Sequence, residues 1–285
     1  PLSGRCRTAA RPAHGLARPP RWPAEDLVAA ADDDNPDPTR KPSRLREWVT
    51  LILMTGLVFF GIRWFLFEPF RIPSESMLPT LEVGDMVVVS KFSYGYSDFS
   101  IDIDLPFMPD TRLLGAKPRR GDIAVFRHPR DDKNLIKRII GLPGDTVQMI
   151  DGQLWLNGEP MPQRLLGAAT NTSLSVDKAQ LVEERLIDRR GITLAGYQVI
   201  NFADTVFDNT GRSTIPAETY FFLGDNRDNS SDSRSSAELG VVHQRFLIGR
   251  AEAVLFSLNV QAHPTDGYFW AYWNPFRWDR FIKLI

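Results

Sequence analysis

A single apolar segment, residues 48–67, restricts the possible folds of this chain more than any other part of its sequence. About 20 residues of α-helix extend over roughly 30 Å, which is the thickness of the hydrocarbon core of a bilayer. Four basic residues lie shortly upstream of the segment: Arg40, Lys41, Arg44 and Arg46. Because short cytoplasmic segments carry an excess of Lys and Arg, we expect one transmembrane helix over 47–67, with its N-terminus in the cytoplasm.

Two other interpretations of this segment fit the sequence less well. A cleavable signal peptide would end in small residues, whereas Glu68-Pro69-Phe70-Arg71 follows here. A buried core helix is usually shorter than this segment, which is apolar on all of its faces. The segment is therefore predicted to be a membrane anchor that places everything after residue 67 on the outer side.

The composition excludes several classes of function. The formal net charge of −1 gives the protein no overall positive potential that would attract nucleic acid, so nucleic acid is not expected as a partner. The chain has four scattered histidines and one cysteine, Cys6, so a structural zinc site, a metalloprotease and a cysteine protease are all poor interpretations. We expect no metal and no cofactor.

The chain after the apolar segment has the pattern of a mainly β protein. Runs rich in Val, Ile and Phe predict strands at 86–89, 123–126, 135–140, 147–150, 154–156, 220–223 and 248–256. Asp151-Gly152 predicts a two-residue hairpin turn. Residues 163–215 are more polar and irregular, which is typical of an inserted lobe rather than of core.

Ser76 is the first candidate for chemistry. A serine hydroxyl is a weak nucleophile until a base takes its proton. Pro73 and Pro79 restrict the backbone on either side of Ser76, and Ser74 is expected on the same side of an extended segment. Ser74 and the Ser76 backbone N–H are candidate donors to a developing oxyanion. The alternative is a polar linker that leaves a membrane helix.

Lys137 is the candidate base. Strand alternation places it on the face of Leu135 and Ile139, with Arg138 opposite. A lysine among aliphatic side chains loses solvation, and full burial lowers its pKa by about 3–5 units from about 10.4. That range reaches the neutral amine that a general base requires. The alternative is an edge-strand lysine that reaches water.

A polar loop, residues 224–234, follows the predicted strand at 220–223. Ser230 is a candidate hydrogen-bond partner of the Lys137 amine, and Asp232 and Arg234 are candidates for an ion pair that fixes the loop. The alternative is an Asn/Asp-rich surface turn, which composition alone does not exclude.

In this order, the segments resemble the successive motifs of the type I bacterial signal peptidases. The matching stretches are Ser74-x-Ser76-Met77-x-Pro79-Thr80-Leu81, Gly121-Asp122-x-x-Val125-Phe126-x-x-Pro129, Ile136-Lys137-Arg138-x-x-Gly141-x-Pro143-Gly144-Asp145 and Gly224-Asp225-Asn226-Arg227-x-x-Ser230-x-Asp232-Ser233-Arg234. Four ordered motifs are far more specific than any one of them.

The resemblance implies a role for each of these residues. Ser76 would be the nucleophile and Lys137 the general base, with Ser74 completing the oxyanion hole. Ser230 would orient the lysine, and Asp232 and Arg234 would stabilise the site. The resemblance also implies no metal or cofactor, and an antiparallel β catalytic domain with an inserted β lobe, which here is preceded by one N-terminal transmembrane helix.

The implied substrates are signal-peptide-bearing preproteins with small residues at the first and third positions before the scissile bond. The residues that match pocket-lining positions are Phe70, Ile72 and Ile136. The implied location is the bacterial cytoplasmic membrane, with the catalytic domain on the outer side. We also expect contact with the lipid bilayer and a monomeric state. Three alternatives stay open: a peptidase for one dedicated substrate, an inactive relative that acts as a membrane-anchored binding or assembly factor, and an anchored β domain without an active site.

The sequence predicts six regions: a disordered cytoplasmic tail at 1–46, the transmembrane helix at 47–67, the catalytic core at 68–145 and 219–260, the inserted lobe at 146–218, and an aromatic tail at 261–285. Residues 1–22 contain five arginines and no acid, which faintly resembles an organellar transit peptide, but serine is scarce. The aromatic tail fits either the headgroup region of a membrane or packing over the β core. The motifs do not explain the acidic loop at 97–118.

Overall fold

The computed structural model describes residues 44–100, 112–169, 179–188, 190–202, 205–259 and 276–285. The chain divides into two compact units, Pro1–Met54 and Thr55–Ile285. In the first unit, the described residues form the start of helix α1. All of the strands in the described part of the chain belong to the second unit.

Helix α1 spans Arg44–Gly61, and none of its residues is buried. A π-helical turn, Ile62–Leu66, follows it. Residues 44–46 of the predicted tail at 1–46 are helical, and residues 1–43 lie outside the described part of the chain. In the described ranges, no helix is both long enough and apolar enough to cross a membrane.

The main sheet contains eight antiparallel strands. Its order is β1 (Phe67–Arg71), β2 (Asp85–Ser90), β14 (Leu247–Ser257), β3 (Ile123–Arg127), β4 (Asn134–Gly141), β12 (Thr219–Leu223) and β13 (Val242–His243), and β15 (Lys283–Leu284) also pairs with β14. Strand β4 lies between β3 and β12, so its side chains are enclosed along most of its length. This central position explains why β4 is able to bury charged residues.

Two smaller antiparallel sheets are formed by residues 146–214. One has the order β10 (Thr193–Phe202), β9 (Ala179–Ile187) and β8 (Gln163–Ala168). The other has the order β11 (Ser213–Thr214), β5 (Thr146–Ile150), β6 (Gln153–Leu156) and β7 (Glu159–Pro160). The prediction of a mainly antiparallel β protein is thus confirmed, and each of the seven predicted strands is present. The stretch 163–215 is more regular than its polar composition indicated, because β9 and β10 pair along almost their whole length.

Short 3-10 turns complete the described structure at Arg227–Asn229, Gln244–Phe246 and Trp278–Arg280. The last of these turns packs on the main sheet, where the buried Arg280 binds the carboxylate of Asp85 at 2.5 Å. The end of the predicted aromatic tail, residues 276–285, therefore lies against β14 and the start of β2. The rest of that tail, at 261–275, and residues 101–111 of the acidic loop lie outside the described residues.

An apolar cluster fixes the segment between β1 and β2. Ile72, Met77 and Leu81 from this segment are buried together with Val87 and Ile136. Burying a side chain of this size contributes about 1.5–3 kcal/mol relative to leaving it exposed. Since Ile72 and Met77 lie on either side of Ser76, their burial holds that serine against the sheet.

Candidate active site

Ser76 lies in a turn between two buried apolar anchors, Ile72 and Met77. It is only 8% exposed. The backbone N–H of Asn226 donates to the Ser76 carbonyl at 3.1 Å, and the Asn226 side-chain amide donates to the Glu75 carbonyl at 3.1 Å. The loop at 224–234 and the apolar anchors therefore hold the backbone of Ser76 from two sides.

Lys137 is brought to Ser76 by strand β4. Its Nζ lies 2.6 Å from Ser76 Oγ and 3.2 Å from the Ile136 carbonyl oxygen, and the residue is 4% exposed. Burial lowers the pKa of Lys137 to about 8, although the charges of Asp232 and Asp225 act in the opposite direction. A neutral amine in direct hydrogen-bond contact with a hydroxyl is the arrangement that activates a serine for nucleophilic attack.

Ser74 places a second hydroxyl beside that of Ser76. Its Oγ lies 3.4 Å from Ser76 Oγ, at the limit of hydrogen bonding. Ser74 is exposed, whereas Ser76 is buried. The two hydroxyls therefore share one side of the segment, as the sequence predicts, with Ser74 on the solvent-facing edge.

Asp232 and Arg234 form the predicted ion pair. Arg234 Nε lies 2.9 Å from Asp232 Oδ1, and both side chains are almost fully buried. The other Asp232 oxygen accepts the backbone N–H of Gly224 at 3.1 Å, and Arg234 also donates to the Arg227 carbonyl. The pair therefore ties the two ends of the 224–234 loop together.

Ser230 does not make the hydrogen bond that the sequence predicts. Its Oγ is buried and has no hydrogen-bond partner, while Lys137 donates to Ser76 and to the Ile136 carbonyl. Ser230 instead packs against Gly224: a Cβ added there would lie 2.2 Å from Ser230 Oγ and 2.6 Å from the Ser76 carbonyl oxygen. Ser230 is thus close to the Ser76 segment, but its hydroxyl makes no hydrogen bond to Lys137.

Sequence reasoning missed the role of Arg138. Its guanidinium forms a two-pronged pair with Asp225, at 2.8 and 2.6 Å, and Thr80 donates to the same carboxylate at 2.5 Å. Arg138 directly follows Lys137 in β4, and the charge of Asp225 acts on Lys137. An arginine inside an apolar strand was the available signal, but its partner is 87 residues away in the sequence.

The predicted substrate-contacting residues form one apolar patch. Ile72 and Ile136 are buried in the same cluster as Met77, and the partly exposed Phe70 packs against them. Along the chain, Ile136 directly precedes Lys137, and Ile72 and Met77 lie on either side of Ser76. Over the residues that the structure describes, no group of three or more His, Cys, Asp and Glu side chains is arranged to hold a metal ion.

Comparisons with known proteins agree on one family. The family model for signal peptidase, peptidase S26, matches residues 45–256. A signal peptidase I of Pseudomonas fluorescens is 40% identical over 226 residues, which cover 73% of this chain and 73% of the relative. A signal peptidase I of Pseudomonas aeruginosa is 38% identical over 244 residues, covering 79% of this chain and 78% of the relative.

A solved structure is also similar in part. The crystal structure of a signal peptidase I from Enterococcus faecalis V583 is 29% identical and covers 47% of this chain and 97% of that chain. Its TM-score is 0.28, so the description of the fold rests on the strand pairing given above.

Proposed function

Because this chain belongs to the signal peptidase family S26, whose members are serine peptidases, we propose that it removes N-terminal signal peptides from exported preproteins with a Ser76–Lys137 dyad. The observation that carries the proposal is the 2.6 Å contact between a buried lysine amine and a buried serine hydroxyl. Neither residue needs a histidine or a metal to perform acyl transfer.

In the proposed mechanism, neutral Lys137 takes the proton of Ser76 as Oγ attacks the scissile carbonyl. The lysine then gives that proton to the leaving amine, which leaves an ester between Ser76 and the signal peptide. The same amine then takes a proton from a water molecule as that water attacks the ester carbonyl. The bond from the carbonyl carbon to Ser76 Oγ breaks, the lysine returns the proton to Oγ, and the signal peptide leaves as a carboxylic acid. Because one group serves as base and acid in turn, its pKa of about 8 suits both steps near neutral pH.

The oxyanion of the tetrahedral intermediate is assigned to the Ser74 hydroxyl and the Ser76 backbone N–H. Ser74 Oγ lies 3.4 Å from the nucleophile, so a carbonyl carbon bonded to Ser76 would place its oxygen near Ser74. Donors fixed before the reaction stabilise the developing charge without the cost of reorganisation. Asp232 and Arg234 keep the neighbouring loop in place, and Ser230 contributes packing beside Gly224.

The proposed cleavage motif is small-x-small. An extended substrate would pair with residues 72–76 as an added strand, so alternate side chains would face the patch of Phe70, Ile72 and Ile136. Ile72 and Ile136 are almost fully buried, so the proposal assigns to this patch a shallow contact surface that favours small side chains.

The membrane anchor is part of the proposal. Residues 48–67 carry large apolar side chains that are exposed along α1 and the π-helical turn, among them Leu53, Leu57, Val58 and Phe59. We place this segment in the bacterial cytoplasmic membrane, with the N-terminus inside and the peptidase on the outer side. The division into a catalytic core at 68–145 and 219–260 and an inserted lobe at 146–218, and the monomeric state, belong to the same proposal.

The test is the cleavage of a preprotein that carries Ala-x-Ala before its cleavage site. We expect the purified enzyme in detergent to cut after the second alanine, with or without a chelator, as read by mass spectrometry of the products. A preprotein with Phe in place of either alanine is the matched control and should stay intact. Cleavage of the Phe form at the same rate would refute the motif, and an intact Ala form across several preproteins would favour a binding or assembly role.

A further inference from the structure

Glu184 in strand β9 is a buried carboxylate for which the mechanism above has no use. Its exposed fraction is 0%. It accepts bonds from two nitrogens of Arg227, at 3.1 and 2.5 Å, and from the Tyr197 hydroxyl at 2.5 Å. Burial alone would raise the pKa of Glu184, but the Arg227 charge and these bonds hold it below its usual value. A buried charge pair of this kind tolerates little displacement of either partner, since separating the partners leaves a charge unpaired.

The partner, Arg227, belongs to the loop at 224–234, and strand β10 binds the backbone of the same loop. The N–H of Ile200 donates to the Asp225 carbonyl at 2.9 Å. Phe202 donates its N–H to the Asp228 carboxylate at 2.8 Å, and the Thr205 hydroxyl donates to that carboxylate at 2.6 Å. The hairpin formed by β9 and β10 therefore holds this loop by side chains and by backbone.

The same loop holds the nucleophile. Asn226, which lies between Asp225 and Arg227, donates its backbone N–H to the Ser76 carbonyl and its side-chain amide to the Glu75 carbonyl. Asn226 therefore bonds directly to the Ser76 backbone, and both neighbours of Asn226 in the chain are held by β9 and β10.

The base is reached by a second route. The Arg138 guanidinium lies 4.0 Å from the centre of the Tyr197 ring, and the same guanidinium forms an ion pair with Asp225. Arg138 follows Lys137 directly in β4. Tyr197 therefore contacts both the buried carboxylate of Glu184 and the arginine beside the base.

From these contacts we propose that the β9–β10 hairpin positions Ser76 relative to Lys137. Glu184 and Asp228 are the positioning residues, because they hold the 224–234 loop in place. Asn226 of this loop in turn holds the Ser76 backbone, which keeps the Ser76 hydroxyl within hydrogen-bond distance of Lys137. The inserted lobe thus takes part in catalysis without touching the substrate. This inference rests on the proposed Ser76–Lys137 function. Small displacements of a nucleophile from its base are costly: a misplacement of about 1 Å lowers a rate by about a hundredfold.

The experiment compares Glu184→Gln with Glu183→Gln. Glu183 is the adjacent residue on the other face of β9, where it pairs with Arg164 and Arg185 at the surface and not with the loop. We expect kcat for an Ala-x-Ala peptide to fall by about tenfold to a hundredfold in Glu184→Gln, with KM changed by less than about threefold. Glu183→Gln should match the wild type in both constants.

A second variant covers the possibility that Glu184→Gln does not fold. Asp228→Ala removes the acceptor of the Phe202 and Thr205 bonds from a half-buried position, and we expect kcat to fall by about tenfold with KM unchanged. Circular dichroism and urea unfolding give the folded fraction at the assay temperature. The proposal is overturned if kcat per folded molecule stays within about twofold of the control in the variants that fold. Failure of the proposed function gives a different result, because the wild type would then not cleave or Ser76→Ala would stay active.

Discussion

At the scale of single residues, Lys137 combines two opposing effects. Its position in β4 removes it from water, which disfavours the ammonium form, while Asp232 and Asp225 favour that form through their charges. The balance places the pKa at about 8, between that of a free lysine and that of a fully isolated buried lysine. The amine is therefore neutral in a substantial fraction of molecules at neutral to slightly alkaline pH, and still basic enough to take a proton.

This balance predicts the pH dependence of the reaction. Because only the neutral amine acts as a base, kcat/KM should rise with pH and level off above a midpoint of about 8. Asp232→Asn removes a negative charge that stabilises the ammonium form, so its midpoint should lie at lower pH. The measurement is the pH profile of kcat/KM for an Ala-x-Ala peptide. An Asp232→Asn midpoint that is unchanged or higher would show that another group is the base.

Burial of the base should also reduce the stability of the fold. The pKa of Lys137 is lowered from 10.5 to about 8 on folding, so the unfolded chain binds more protons between these values. The penalty is therefore fully present below pH 8 and is relieved as pH rises towards 10.5. Lys137→Met should raise the free energy of unfolding at pH 7 by about 2 kcal/mol, after allowing for the bond to Ser76 that is lost.

Urea unfolding at pH 7 and pH 10 measures this gain. Lys133→Met is the matched control, because Lys133 is exposed and should change stability by less than about 0.5 kcal/mol. The gain in Lys137→Met should shrink at pH 10. If Lys137→Met is less stable than the wild type at pH 7, burial of the lysine does not lower the free energy of unfolding, which contradicts this prediction.

At the scale of structural elements, the 224–234 loop depends on a close approach at Gly224. A Cβ at this position would lie 2.2 Å from Ser230 Oγ and 2.6 Å from the Ser76 carbonyl oxygen, so the loop or the nucleophile segment would have to move. We expect Gly224→Ala to lower stability by about 1–3 kcal/mol and kcat by at least about tenfold.

Gly211→Ala is the control for this prediction, since a Cβ at Gly211 meets no atom within 4 Å. Urea unfolding and peptide cleavage should leave this variant close to the wild type. Equal behaviour of the two alanine variants would mean that the loop is free to move away from Ser76 without consequence.

The strands were predictable because their sequences are rich in Val, Ile and Phe, and because alternation marks the face that is buried. The Ser76–Lys137 contact joins residues 61 positions apart, and the resemblance of four ordered motifs, rather than any local pattern, predicted it. The Glu184–Arg227 pair was not predictable in the same way. Two charged residues 43 positions apart, each in a polar stretch, have the pattern of exposed groups until the strands bring them together.

The Ser230 prediction shows the limit of reasoning by resemblance. The motif places Ser230 beside the dyad, and the structure does so too, but a hydrogen bond depends on the side-chain rotamer and on tenths of an ångström. In the structure, Ser230 lies against Gly224 and its Oγ has no hydrogen-bond partner. The loop position was therefore predictable from the sequence, whereas the contact was not.

At the scale of the whole molecule, the proposal assigns membrane anchoring to the apolar segment and peptide cleavage to the β unit. The candidate site residues begin at Phe70, after the start of β1 at Phe67. The Leu66 carbonyl accepts the backbone N–H of Lys91 at 2.9 Å, so the β unit needs the chain from about the π-helical turn onward. Helix α1, by contrast, has no buried residue.

Removal of residues 1–61 should therefore release the enzyme from the membrane and leave its chemistry intact. We expect the full chain to stay in the membrane pellet after an alkaline wash, and the shortened chain to move to the supernatant. Cleavage of a short Ala-x-Ala peptide should stay within about threefold of the full chain, since substrate contacts are unchanged. A full chain in the supernatant would contradict the anchor, and an inactive but folded short chain would show that α1 contributes to the site.

The dyad itself is tested most directly by single-turnover cleavage of an Ala-x-Ala preprotein at pH 9, with enzyme in excess. The proteins compared are the wild type, Ser76→Ala, Lys137→Met and the control Lys133→Met. We expect each dyad variant to cleave at least about a thousandfold more slowly than the wild type, and Lys133→Met to cleave at the wild-type rate. A folded Ser76→Ala or Lys137→Met protein that keeps its rate within about tenfold of the wild type would contradict the assignment of nucleophile or base.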